Sequence, residues 1–254
     1  MTKLHMTKDF WLAALRADGP ALRAAAADAP GDLAVPSCPE WTVEQLVRHV
    51  GALYAWVGGH VARGVTTAPE PRRYSIDDAP TGPAALGFLD EQYTALVRLL
   101  DGLDPELPAW HPVPQAKKAG FWYRRMAHET AVHRWDVQLA IGHAEPVEAK
   151  LAADGVGEVL DSLLPAGRRR GPVDRHGVAQ LVATDISHEW LVRLRGEGIA
   201  LLDTDTLFDS DDHHTRVLAA GTASDVLLAL YGRLPFDTLD VTGDATLLQS
   251  LRTG

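Results

Sequence analysis

Glu129 and His133 stand four residues apart in the run His128-Glu129-Thr130-Ala131-Val132-His133-Arg134-Trp135-Asp136, which reads as helix. That spacing sets the two side chains one above the other on a single helix face. A carboxylate and an imidazole on one inward face make half of a divalent-metal site. His49, in the middle of another amphipathic stretch, is the candidate third ligand. Three protein ligands leave coordination positions open for water or substrate, as catalytic metal sites do. A carboxylate buried alone would lose its hydration, and a cation beside Glu129 meets that cost. The spacing alone also fits a surface Glu129–His133 pair with His49 in the core, because Glu-x-x-x-His is common on ordinary helices.

The zincin pattern is excluded. It needs histidines four apart, whereas His128 and His133 are five apart, roughly 140° round the helix. His128 is therefore expected to face a neighbouring helix or solvent. Asp136 is placed to accept a hydrogen bond from a ligating histidine, or to make a surface ion pair. Arg233 is placed to grip a substrate carboxylate in a bidentate manner, or to offset a helix-end dipole. Trp41, Trp56, Trp122 and Trp135 could line a pocket but are expected in the core or in helix packing, and Cys38 could be a nucleophile but is expected as a small buried apolar residue beside a helix start. His213-His214, among Asp209, Asp211 and Asp212, could bind a stray metal but reads as an exposed loop, and Arg168 to Arg170 as a solvated turn.

Helices must position these groups. Phe10 to Asp28 is rich in Ala and Leu, and Gly19-Pro20 is expected to break or restart that helix. Residues 36–41 are turn-like. Thr42 and Gln45 form a capping box that opens a second helix, with an apolar stripe at Leu46, Val50, Leu53 and Val57 and a stop at Gly58-Gly59. A third helix is expected over Ala84 to Asp101 and a fourth over Gly120 to Ile141. Four helices with short and medium loops predict a four-helix bundle over residues 1–146. After it the pattern changes to one helix, Pro146 to Leu164, and then to short β-like runs at Gln180–Thr184, Glu189–Arg195, Ile199–Asp203, Arg216–Ala220 and Thr238–Thr242. Helices are expected at Thr222–Gly232 and Ala245–Leu251. Residues 147–254 therefore read as a smaller α+β domain.

The 254 residues carry 24 Lys+Arg against 34 Asp+Glu, a net charge of −10. Such a chain is a poor ligand for a phosphate backbone, so nucleic-acid binding is not expected. The single cysteine forbids an intramolecular disulfide, which with the lack of a signal peptide points to the cytoplasm. No apolar run approaches the roughly 18 residues of a membrane span, so no membrane partner is expected.

Three segments carry a family resemblance. They are Val35-Pro36-Ser37-Cys38-Pro39-Glu40-Trp41-Thr42-Val43 running into Leu46-Val47-Arg48-His49-Val50-Gly51, the run from His128 to Asp136, and Gly221-Thr222-Ala223-Ser224-Asp225 through Leu230-Tyr231-Gly232-Arg233-Leu234-Pro235 to Val241-Thr242-Gly243-Asp244. On these residues the chain resembles the mycothiol-dependent maleylpyruvate isomerase family, within the wider DinB-like group of metal-binding four-helix bundles. The resemblance implies zinc, or another divalent metal, held by His49, Glu129 and His133. It also implies a C-terminal domain resembling the sterol carrier fold, and mycothiol as thiol cosubstrate. The implied reaction is isomerisation or thiol transfer on a small electrophile. A metal-dependent hydrolase and a non-catalytic, metal-containing binding protein remain the alternatives.

Overall fold

The computed structural model describes residues 6–202 and 215–253. The expected strand end at Asp203 and the His213-His214 run lie outside the described residues. The chain divides into two compact units, residues 6–112 with 116–145, and residues 146–253 with 113–115.

The first unit is a four-helix bundle of α1 (Lys8–Asp28), α2 (Val43–Val61), α3 (Ala84–Gly102) and α4 (Gly120–Ala140). Neighbours around the bundle run α1–α4–α2–α3 and back to α1. Leu46, Val50, Leu53 and Val57 of α2 all point into the core, as their spacing requires. Thr42 opens α2 with the expected reciprocal capping box, its hydroxyl accepting from Gln45 N at 3.3 Å while Gln45 Oε1 accepts from Thr42 N at 2.9 Å.

Two expectations for this unit are corrected. The first helix does not break at Gly19-Pro20 but runs unbroken through Pro20. An internal proline costs a helix about 3 kcal/mol, which burial of Leu12, Leu15, Gly19, Leu22 and Ala26 on one face outweighs. Gly19 belongs to that face because a Cβ there would lie 2.2 Å from the Tyr93 ring of α3. The second helix passes through Gly58-Gly59 to Val61. The turn-like stretch before it proves to be a small antiparallel hairpin, β1 (Ala34–Val35) with β2 (Cys38–Thr42), whose tip is Pro36-Ser37.

In α4 nearly every side chain from Trp122 to Gln138 is buried, polar ones included. Each such group needs a partner. Arg134 is fixed by Asp18 of α1 (2.7 Å) and by the Glu145 carbonyl (3.1 Å). Thr130 donates to the Met126 carbonyl at 2.7 Å and so accepts from the Tyr54 hydroxyl of α2.

The second unit is α+β. Helix α5 (Ala149–Glu158) passes into a π turn at Val159–Leu163, where a single continuous helix was expected. The five-stranded sheet has the order β5–β4–β3–β6–β7, formed by Gly198–Leu202, His188–Arg195, His176–Ala183, Arg216–Gly221 and Asp240–Gly243. All pairings are antiparallel except β3 with β6. Helices α6 (Ala223–Leu230) and α7 (Thr246–Gln249) pack on β3 and β6. Thr222 caps α6 by accepting from Asp225 N at 3.1 Å.

Candidate metal centre

His49 of α2 and Glu129 and His133 of α4 meet inside the bundle. One ligand atom from each lies within 4.8 Å of the other two. The His49 and His133 rings sit edge to face, with centroids 4.9 Å apart. His133 Nε2 is 3.3 Å from Glu129 Oε2. Two ligands about 2.1 Å from one tetrahedral cation would stand roughly 3.4 Å apart, so this edge of the cluster already has the spacing of a shared ion.

Neighbouring groups aim two of the three donors. Arg125, one turn before Glu129, holds Oε1 through its NH2 group at 2.7 Å and Nε at 3.0 Å, which leaves Oε2 toward the histidines. Burial raises the Glu129 pKa, but the Arg125, His133 and His49 charges outweigh it and keep the carboxyl well below its usual range. Asp136, wholly buried, accepts from His133 Nδ1 at 2.9 Å. The hairpin tip reaches the same carboxylate, Ser37 Oγ donating to Oδ1 at 2.6 Å and Cys38 Sγ lying 3.8 Å from Oδ2. With Nδ1–H committed to Asp136, His133 turns Nε2 toward Glu129. Burial lowers the His133 pKa, yet the Asp136 and Glu129 hydrogen bonds and charges raise it overall.

Trp41 closes one wall, its ring 4.5 Å from His49 and 6.3 Å from His133. Tyr74, on the connection between α2 and α3, closes another. Its hydroxyl lies 3.2 Å from His49 Nδ1 and 3.4 Å from Nε2. Trp56 meets Tyr74 at 6.1 Å, while Trp122 and Trp135 are core residues. Cys38 is half-buried, with its thiol toward Asp136 rather than purely in apolar packing. His128 is fully buried and outside the three-residue cluster. Arg233 belongs to the second unit, where it donates to the Tyr231 carbonyl at 3.1 Å and, with Arg252, lines a cavity of about 310 Å³. Arg168 and Arg170 are exposed, as expected, while Arg169 donates to the Gly196 carbonyl.

Sequence reading missed Arg125, Ser37 and Tyr74 as parts of this centre, and expected Trp41 in the core rather than lining it. Arg125 is four residues before Glu129 and could have been found by that spacing. Ser37 and Tyr74 reach it from loops, where no periodicity points to a partner.

A helical bundle with two histidines and a carboxylate converging in its core, followed by a small α+β unit, is the architecture at hand. Its two parts match the family models for the mycothiol maleylpyruvate isomerase N-terminal domain, over residues 12–138, and for the MDMPI C-terminal domain, over residues 150–250. The chain belongs to the mycothiol maleylpyruvate isomerase family. Its fold is similar to the crystal structure of the mycothiol-dependent maleylpyruvate isomerase, with TM-score 0.65, 12% identity, and 95% of this chain and 96% of that one covered. A histidine-to-alanine mutant of that isomerase matches with the same values. At such identity the likeness is one of fold. Among curated proteins no relative matches. Among the described residues no helix is long and apolar enough to cross a membrane.

Proposed function

We propose that the chain is a divalent-metal-dependent enzyme that uses a low-molecular-weight thiol, mycothiol, as cosubstrate. It acts as an isomerase or thiol transferase on a small electrophile. The observation that carries the proposal is the convergence of His49, Glu129 and His133, with Arg125 and Asp136 aiming two of the three donors. Two neutral imidazoles and one carboxylate suit zinc. When bound, such an ion supplies the Lewis acidity that keeps a thiol deprotonated at neutral pH.

The protein's own groups do the rest. Asp136 fixes the His133 tautomer, and Arg125 keeps Glu129 ionised. Trp41 and Tyr74 wall the centre beside His49. Isomerase and transferase share one bond-forming event, sulfur to an electrophilic carbon, and differ in whether that bond later breaks. Membership of the family and the name of the structural neighbour favour mycothiol as the thiol.

The test combines metal analysis with turnover. Protein purified without chelators should carry close to one zinc per chain. His49→Ala and His133→Ala should each lose it. The wild type should convert one or more of a panel of electrophiles that includes maleylpyruvate only when mycothiol is present, with net loss of thiol if it is a transferase and none if it is an isomerase. Full metal occupancy in both mutants would refute the ligand assignment, and turnover of esters or amides without thiol would replace the proposal with a hydrolase.

A further inference from the structure

The hairpin β1–β2 supplies no donor to the cluster, yet it reaches both of its histidines. The tip is short and stiff. Val35 pairs with Cys38, so Pro36 and Ser37 are the two central residues of the turn. Proline at the first of these positions pre-sets the backbone angle that the turn needs, and Pro39 fixes another just past Cys38. Val35, wholly buried, anchors the hairpin in the bundle core. At its base the hairpin is fastened to the start of α2. Val43 N donates to the Leu33 carbonyl and Glu44 N to the Gly31 carbonyl, both at 2.9 Å, which satisfies two of the amides that a helix start leaves open.

From this tip Ser37 crosses to α4. Its hydroxyl donates to Asp136 Oδ1 at 2.6 Å, while Asp136 Oδ2 accepts from His133 Nδ1 at 2.9 Å. The first distance falls in the range of roughly 2.5–2.7 Å for a hydroxyl bonded to an anion, a contact about twice as strong as a neutral one. The Cys38 thiol, 3.8 Å from Oδ2, is a weak donor by comparison. A carboxylate bonded through one oxygen can still swing about its Cβ–Cγ bond. Bonded through both, its plane is fixed, and so is the His133 ring that donates to it. Trp41, near the other end of β2, brings its ring 4.5 Å from His49 and 6.3 Å from His133. One hairpin thus bears on a histidine of α2 and a histidine of α4.

We propose that Ser37 is a positioning residue for the metal centre, acting through Asp136 to hold the His133 ring where Nε2 faces Glu129. The inference rests on the metal reading above and adds to it a control that lies outside the four helices. Outer partners of a metal-ligating histidine fix its ring orientation, and their loss weakens metal binding roughly 10- to 100-fold. Ser37 stands one hydrogen bond further out than Asp136, so its loss belongs at the low end of that range.

The test measures zinc affinity by chelator competition in the full-length protein, for wild type, Ser37→Ala, Asp136→Ala and the double mutant. Ser37→Ala should bind zinc roughly tenfold more weakly than wild type. On the Asp136→Ala background the same substitution should cost less than about twofold, because the link through which it acts is already gone. Exposed Pro36 offers a second variant. Pro36→Gly keeps the hydroxyl and the carboxylate and only loosens the turn, so it should weaken zinc binding by a smaller factor. Wild-type affinity in Ser37→Ala would overturn the inference alone. An equal loss on both backgrounds would also overturn it, by making Ser37 a support for the hairpin rather than for Asp136. Should Ser37→Ala fail to fold, Pro36→Gly carries the test, and wild-type affinity there would overturn the inference. A wild type that takes up no zinc would overturn the metal reading, and this inference with it.

Discussion

At the scale of single residues the centre is built from matched pairs in which a neighbour decides what each donor offers. Asp136 makes His133 an Nε2 donor, and Arg125 makes Glu129 an anion. The same contacts set a pH dependence. Without metal, the raised His133 pKa means that its protonated form contributes stability in full below about pH 6.5, and that this is lost as pH rises through the higher folded value. The depressed Glu129 pKa works in the other direction, its contribution being present above about pH 4.5 and lost as pH falls toward the folded value. A cation competes with the His133 proton, so zinc affinity should climb with pH on the alkaline side of 6.5, and binding should release protons. Asp136→Asn should lower zinc affinity roughly 10- to 100-fold where proton competition has ended, and should move the rise in affinity to lower pH. Chelator competition across a pH series measures both effects. An unchanged affinity and midpoint in Asp136→Asn would mean that the carboxylate does not orient the histidine.

Among the elements, α4 departs furthest from an amphipathic ideal. Its apolar stripe is weak because Arg125, His128, Thr130, Arg134, Asp136 and Gln138 are all buried, and each buried polar group breaks the periodicity that sequence reading relies on. The helix was legible by its length and by the Glu129–His133 spacing, but its all-round burial was not. The four-helix bundle and the succession of strands and helices after it were legible because their cores follow periods of 3.6 and 2. The hairpin before α2 was not, since two proline-bearing residue pairs in 34–42 carry turn chemistry rather than alternation. The continuity of α1 through Pro20 was hidden for another reason: it depends on Tyr93, whose ring fills the space above Gly19 and whose hydroxyl donates to the Leu15 carbonyl at 3.3 Å. Gly19→Ala should therefore destabilise the protein by about 1–2 kcal/mol, because the overpacking penalty exceeds the helix-propensity gain of an alanine. Urea denaturation of Gly19→Ala, Tyr93→Leu and the double mutant should show strong non-additivity. A stabilised Gly19→Ala would mean that the ring moves aside at little cost.

For the molecule as a whole, the proposed ligands come from α2 and α4, so a cation bound by them would be a cross-brace between two helices of one unit. Zinc at a hundred times its Kd should add about 2.7 kcal/mol to the stability of that unit. Hydrogen exchange should show the gain in the amides of α2 and α4, while amides of the β3–β4 and β6–β7 ladders in the second unit keep their rates. Equal protection in both units would show that they unfold together.

The order of helices around the bundle also bears on how the protein is made. Around the ring, α1 has α3 and α4 as its neighbours, and α2 has the same two. A nascent chain that has released only α1 and α2 thus holds two helices whose main partners are still to come. The proposed metal donors repeat the delay, since His49 leaves the ribosome roughly 4–17 s before His133 at ordinary rates of synthesis. Until α4 emerges, His49 is one imidazole on an open apolar face with no second donor beside it. Metal capture during translation would therefore have to wait for the last helix of the bundle, so that a chain truncated before it would be both uncharged with zinc and exposed to chaperones.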